Sequence, residues 1–308
     1  MADKNKNASM KFVIVSPPQG DGGPIALHAL CKYLCDLGHD ARILYTSYFG
    51  CGNKKLISKV NYHLKWFRYI LTMKHPTYEP VKGCKETKNP FIGKNTIVVY
   101  PEIMIGNPFG AKKVVRWLLY NHKYPENVCG AYSENDLFIA FRDVFNDKTL
   151  NPDGHIVKTV YFDLDMYKRY NFGERKGTCY IIRKGVIRTD LPQNFDGIVI
   201  DKLPEEEKVK VLNECEYCIS YDTQSAYSFI AAMCGCISII VPEEGKEQKD
   251  YRTSEDKNFG VAWGFSEEEI QRAIQTQYKV REHYLEMNNK SRESAKRFVE
   301  ICENYFNK

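Results

Sequence analysis

The sequence predicts an α/β protein of two Rossmann-like domains, each a parallel sheet flanked by helices, facing each other across a cleft. Three observations carry this expectation. Short apolar runs alternate with segments of helical period along most of the chain, glycine-rich or polar turns sit where the apolar runs end, and the alternation restarts near residue 156. With 308 residues, 43% of them hydrophobic and 27% charged, the chain is long enough to bury two cores, expected at 1–155 and 156–308.

The first half opens with the strand KFVIVS (11–16) and the loop PPQGDGGP (17–24). The next segment carries Ile25, Leu27, Leu30, Tyr33, Leu34 and Leu37 at helical spacing, which makes one face apolar. Further strands are expected at ARILYTS (41–47), NTIVVYP (95–101), VVRWLLY (114–120) and DLFIAF (136–141). Such unbroken apolar runs suit strands covered on both faces. The second series begins with HIVKTVYF and continues through TCYIIRKG (178–185), GIVID (197–201), a helix over 204–215 and YCISYD (217–222). It closes with a helix from about Gln224 to Cys234, then ISIIVP (237–242) and GVAWG (260–264). The charged tail from Ser266 predicts two helices broken near Met287–Asn289, the last of which can pack back on the first domain.

Composition excludes several classes. The longest apolar stretch, Phe229–Val241, is interrupted by Gly235 and Ser238, too short for a spanning helix. The first residues are polar and then apolar for only about five positions, unlike a secretory leader. A cytoplasmic protein is expected. The 11 cysteines include one CxxC, Cys215–Cys218, at the passage from a helix to a strand; reduced, packed thiols explain them better than a metal site does. No G-x-G-x-x-G follows a strand, which argues against a dinucleotide enzyme.

Charge is uneven. Residues 1–155 carry a net +8 and the remainder −3, and almost all of the excess lies in 51–100, with ten basic and two acidic residues. Within that stretch, HLKWFRYILTMKH (63–75) interleaves Trp66, Phe67, Tyr69, Ile70 and Leu71 with Lys65, Arg68 and Lys74. Such a segment can lie peripherally on an anionic membrane, or be a helix packed on a domain with a solvated basic face. No recognisable nucleic-acid module accompanies it, so nucleic acid is not an expected partner.

Three places at strand ends can carry chemistry, since open α/β sheets bind ligands there. The loop Gln19–Pro24 lets backbone approach a ligand ahead of a helix N-terminus, or is simply a tight turn. Arg183 and Lys184 end a strand beside Gly185, a planar fork and a point charge suited to a diphosphate, though such pairs also occur on plain turns. The run Ser220–Tyr227 supplies Asp222, Thr223 and Ser225 at the start of a helix, either as an anion cradle or as an ordinary cap.

Read together, GDGGPIALHALCKYLCDLGHDARILY resembles the opening of GT-B glycosyltransferases, with its Gly-Gly loop and Leu-x-x-x-Gly-His helix end. IIRKG resembles the first strand of their donor half, and SYDTQSAYSFIAAMCGCISIIVP their donor helix. YPEIMIGNPFGAKKVVRWLLY (100–120) looks like a segment of transferases of surface-polysaccharide assembly. The resemblance implies a nucleoside-diphosphate sugar held by the second half and a glycan or lipid-linked acceptor held by the first. It implies that Arg183 and Lys184 neutralise the diphosphate, so that neither metal nor cofactor is needed. It further implies that Gly22 and Gly23 approach the phosphates, that Ser225 and Ala226 offer helix-start amides, and that Tyr227 is a further contact, with Asp222 and Thr223 beside them. The pattern departs in one respect: Thr223 and Ala231 stand where retaining members carry paired glutamates.

An inverting enzyme needs a base in the acceptor half. Asp21 and Glu102 are the best-placed candidates, with His122 behind them. Glu102 can instead cap a turn or pair with Arg116, Asp21 can fix its loop, and His28 is expected to be packed. Two other readings of the same fold stay open: a nucleotide- or glycan-binding protein without turnover, and a sugar-nucleotide epimerase.

Overall fold

The computed structural model describes residues 9–20, 22–47, 56–72, 79–120, 132–251 and 258–307. Two units are defined by their internal contacts. One runs to Tyr161 and takes in the chain again from Met287; the other is Phe162–Glu286.

The first unit holds five parallel strands, β1 (Lys11–Ser16), β2 (Asp40–Tyr45), β3 (Thr96–Pro101), β4 (Lys113–Leu118) and β5 (Leu137–Ala140), in the order β2-β1-β3-β4-β5. Successive residues point to opposite faces, and both faces are covered. Phe12, Ile14, Ile97, Val99, Val115, Trp117 and Ile139 meet helix α1 (Gly23–Asp36) on one side. Val13, Val15, Val98, Tyr100 and Val114 meet Tyr62 and Trp66 of helix α2 (Leu56–Thr72) on the other. That double burial is why the strands read as continuous apolar runs.

The second unit repeats the plan with β6 (Thr178–Ile181), β7 (Ile198–Val199), β8 (Tyr217–Ser220), β9 (Ile237–Ile240) and β10 (Val261–Trp263), in the order β10-β9-β8-β6-β7. Its helices are α3 (Glu205–Glu214), α4 (Tyr227–Cys234) and α5 (Glu267–Thr276). Gly235 closes α4 at φ 103°, a left-handed cap that a residue with a Cβ resists. Ser266 opens α5 by accepting a hydrogen bond from the Glu269 amide.

Two expectations are corrected. The tail breaks at Gln277–Tyr278 and not near Met287–Asn289; helix α6 (Lys279–Phe306) passes through that point unbroken. Its Ala295, Phe298, Val299 and Cys302 join the first unit's core, with the Phe298 ring 5.7 Å from Phe12, so the terminal helix does pack back on the first sheet. HIVKTVYF is not a strand opening the second series. Beyond a bridge from Ile156 to Ala140, its backbone donors go to helix side chains, Lys158 to Ser294 Oγ (2.9 Å) and Val160 to Ser291 Oγ (3.1 Å). Tyr33 of α1 donates to the Val160 carbonyl, and Thr159 donates to that of Ala26. The run is apolar because it fills the seam between α1 and α6, not because it pairs in a sheet.

One buried charge pair organises the first unit. Arg116, from β4, pairs with Asp136 (2.9 Å) and donates to the Met104 (3.0 Å) and Gly106 (2.6 Å) carbonyls, its guanidinium lying between the Tyr100 and Tyr132 rings. Removing one member leaves a buried charge without its partner. Asp136→Ala should therefore cost about 3–5 kcal/mol, read as a lowered midpoint in urea unfolding. A change under about 0.5 kcal/mol, the size expected of an ordinary surface site, would contradict this role.

Candidate functional site

Both sheets share one strand order. Taking each unit's strands in chain order, the arrangement is second, first, third, fourth, fifth. The chain leaves the first strand to one side and returns with the third on the other, so the loops after these two strands diverge and leave a crevice at their carboxyl ends. In the second unit that crevice lies beyond β6 and β8, where Arg183–Gly185 and Asp222–Tyr227 fall. In the first it lies beyond β1 and β3, where Gly22, Gly23 and Glu102 fall.

In the second unit the turn after β6 is held tightly. Asp201 accepts from the amides of Ile182 (3.1 Å) and Arg183 (2.7 Å). Arg183 has φ 37°, the one non-glycine residue with positive φ among those described. Such a backbone costs a residue with a Cβ about 1–2 kcal/mol and persists only where its surroundings impose it. A Cβ on Gly185 would overlap the Tyr221 carbonyl oxygen and lie 2.8 Å from its carbon, so only glycine lets this turn press on the end of β8.

Arg188 ties the site together. It donates to the carbonyls of Tyr221 (3.3 Å), Val241 (2.6 Å) and Pro242 (2.9 Å) and grips Asp190 through two nitrogens (2.8 and 2.6 Å). The loops after β6, β8 and β9 thus enclose a pocket of about 460 Å³. Lys184, Asp222 and Thr223 line it with Gln224, Arg188 and Asp190, and Glu243, Glu244, Tyr221 and Tyr251 complete its wall.

Arg183, Ser225, Ala226 and Tyr227 adjoin these lining residues in the chain, in the turn after β6 and at the start of α4, whereas Gly22 and Gly23 belong to the first unit. The Arg183 guanidinium lies over the Tyr227 ring at 5.5 Å. Tyr227 donates to Glu205 (2.6 Å), which also accepts from Tyr167 (2.8 Å) and pairs with Lys208 (2.6 Å). Burial pushes the Glu205 carboxyl up, but Lys208 and the two phenols outweigh it and hold the group below its ordinary range. Burial, and then the Glu205 carboxylate, push the Tyr227 phenol up, so it stays neutral near neutral pH. Ser225 Oγ accepts from the Tyr227 amide (3.2 Å) ahead of α4, and Ala226 accepts there from Phe229 and Ile230. Ala231 is buried in α4.

In the first unit, Gly22 sits at φ 62° ahead of α1, with open space where a Cβ would lie. A Cβ on Gly23 would stand 3.5 Å from Leu119. Glu102 meets the same residue, its Oε2 accepting from the Leu119 amide (3.0 Å). Glycine loop and carboxylate therefore converge at the ends of β1, β3 and β4. Burial raises the Glu102 carboxyl above its ordinary range, with the Leu119 amide opposing. The pairing of Glu102 with Arg116 is not found, because Arg116 is taken by Asp136. Asp21 and His122 lie outside the described residues.

His28 is packed in α1, as expected. Its Nδ1 donates to the Pro24 carbonyl (2.7 Å), leaving Nε2 to accept from Tyr45 (2.8 Å). Cys215 and Cys218 are buried free thiols. Among the described residues no three His, Cys, Asp or Glu side chains are grouped to hold a metal ion.

Several site residues escaped the sequence reading. Arg188, Asp190, Glu243, Glu244 and Glu205 sit in charged turns or at a helix start, patterns shared with any solvated surface. The one available signal was position: Glu243 and Glu244 directly follow the strand ISIIVP.

The chain has the α/β architecture of GT-B glycosyltransferases, two five-stranded parallel sheets with flanking helices. It is similar to a glycosyltransferase from Rickettsia africae ESF-5, at 10% identity and a TM-score of 0.51 over 97% of this chain and 99% of that one. It also matches the glycosyltransferase SnogD from Streptomyces nogalater, at 11% identity and a TM-score of 0.41 over 94% and 100% of the two chains. No protein-family profile and no curated protein matches the sequence.

Two outcomes follow. Gly185→Ala should destabilise the second unit by about 1–3 kcal/mol through overpacking against Tyr221, measured by denaturant unfolding. Burial lowers the His28 imidazole to about 4 from 6.5. The unfolded chain then binds the proton first, so this contribution to stability is complete above pH 6.5 and declines as pH falls toward 4. The slope is at most ~1.4 kcal/mol per pH unit. His28→Gln should flatten that part of the stability profile; an unchanged slope would refute the assignment.

Proposed function

We propose that the protein is a glycosyltransferase moving a sugar from a nucleoside-diphosphate sugar to a glycan or lipid-linked acceptor, of the kind used in surface-polysaccharide assembly. The observation that carries this reading is the strained Arg183–Lys184 turn, pressed by Gly185 against the end of β8 at the second sheet's crevice. A guanidinium and an ammonium beside a walled pocket suit a diphosphate leaving group, whose growing charge they would neutralise without a metal. The pocket's carboxylates suit the hydroxyls of a ribose or sugar, a role the absent glutamates at Thr223 and Ala231 cannot fill. Arg183 is held by its turn and by the Tyr227 ring, so it would meet the phosphates with little rotamer freedom left to lose.

Glu102 is the base in this reading. Its carboxylate would take the acceptor hydroxyl proton as that oxygen bonds to the anomeric carbon and the bond to the diphosphate oxygen breaks. A carboxyl raised by burial is a better base than an exposed one. The absence of both glutamates of the resembled pattern, with Thr223 and a buried Ala231 in their places, favours a second reading, binding of a nucleotide or glycan without turnover.

A thermal-shift series with nucleoside diphosphates and their sugars, with and without EDTA, tests the donor site. A ligand at 100 times its dissociation constant adds ~2.7 kcal/mol. The expected result is a shift with one nucleotide, unaffected by EDTA and lost in Arg183→Ala. No shift with any of them would sink the donor assignment, and a shift abolished by EDTA would sink metal independence.

Glu102→Gln should keep the nucleotide shift and lose on the order of 10²–10⁴ in transfer rate. In the parent protein the acid limb of kcat/KM should lie above the ordinary carboxylate range, because the base must be ionised to act. Nucleotide binding with no transfer in the parent protein would favour the second reading, whereas free nucleoside diphosphate released without acceptor would favour an epimerase.

A further inference from the structure

Helix α2 is the element whose composition the fold does not account for. Its buried side is supplied by Tyr62 and Trp66, which close the sheet face formed by Val13, Val15, Val98 and Tyr100. The opposite side is also apolar. Leu56, Ile57, Val60, Leu64, Phe67 and Leu71 are exposed, between 49% and 76% of each residue's surface. At 100° per residue these six fall within one band about 100° wide along the helix. Asn61, Lys65, Arg68 and Thr72 form the next band and are exposed as well. The helix is thus three-sided: a side in the core, a bare apolar stripe, and a basic polar side.

An apolar stripe of this extent has no place on a face that meets only water. Its charge specifies the partner. Helix α2 carries no acidic residue, and the surrounding residues 51–100 hold ten basic residues against two acidic ones. The stripe is borne by a convex single helix, which can be pressed into a plane. Among the described residues no helix is long and apolar enough to cross a membrane. A helix that joins an apolar face to basic flanks without spanning length is suited to lie in the interface, its apolar side at the acyl boundary and its cations among the headgroups.

We propose that the exposed face of α2 is a docking site for an anionic lipid bilayer, with Leu64, Phe67 and Leu71 inserting and Lys65 and Arg68 meeting lipid phosphates. This does not rest on the transfer reading, and its failure would leave that reading untouched.

The test is co-sedimentation of the full chain with vesicles of phosphatidylcholine alone and of phosphatidylcholine with phosphatidylglycerol, at 0.05 and 0.5 M salt. Binding is expected to the anionic vesicles only and to weaken at high salt, because exposed charges are screened within a few ångströms there. Lys65→Gln and Arg68→Gln should each lower partitioning about fivefold, the equivalent of about 1 kcal/mol per near-surface cation. Leu64→Glu with Phe67→Glu should abolish binding while thermal unfolding stays that of the parent, since both residues are exposed. Absence of binding to either vesicle, or binding that survives the double variant, would overturn the proposal. Analytical ultracentrifugation covers the alternative occupant: a dimer dissociated by the double variant, without vesicle binding, would assign the stripe to a second copy of the chain.

Discussion

In both units the first strand of the sheet is an interior strand, with the second on one side and the third on the other. Much of what the molecule can do depends on that constraint. A chain that leaves a strand toward one neighbour and returns beside the other must part its connections, and the gap opens above the carboxyl ends. In the first unit the parting is visible in the packing, for α1 covers one face of the sheet while Met104, Phe109 and Ala111 of the β3–β4 connection cover the other. In the second unit the same order brings the Arg183 turn and the loop ahead of α4 to one pocket.

Holding such crevices in shape requires rigid edges, and each unit uses a mostly buried arginine for the purpose. Arg116 gathers two carbonyls from the loop that follows Glu102 and one carboxylate from beside β5. Arg188 gathers three carbonyls from the ends of β8 and β9 and the Asp190 carboxylate. The guanidinium suits both because its planar fork satisfies several carbonyls at once, where a lysine would offer a point charge. These two arginines fix loops, and Arg188 also lines the second unit's pocket. Lys184 lines the same pocket and is exposed.

Helix α2 illustrates a different economy of surface. Tyr62 and Trp66 pack on the sheet beside Met104, Phe109 and Ala111, and the side that carries Leu56, Ile57, Val60, Leu64, Phe67 and Leu71 is left exposed. A side released from packing is ordinarily filled with charged residues. Here it carries leucines and a phenylalanine beside Lys65 and Arg68, so its composition answers to something outside the core.

Most of the fold was legible in the residues. All ten strands fall on expected apolar segments, the exposed pair Ile198–Val199 within GIVID; in the first unit this is because burial on both faces writes itself into consecutive residues. Lys184, Asp222 and Thr223 were legible as polar residues at strand ends, and the structure brings them to one pocket. HIVKTVYF misled because apolar content records burial and not pairing; its partners are serines of α6 more than 130 residues away. Arg188, Glu205 and Asp190 were hidden for a related reason, since a charged residue in a turn reads alike whether it grips three carbonyls or faces water. By itself the sequence determined the alternation, the double coverage of the strands and the excess of positive charge around α2, all properties of neighbouring residues. Tertiary structure alone decided which arginine meets which carbonyl, that Arg116 takes Asp136 and leaves Glu102 to Leu119, and which side of α2 stays bare, because each depends on groups that only folding brings together.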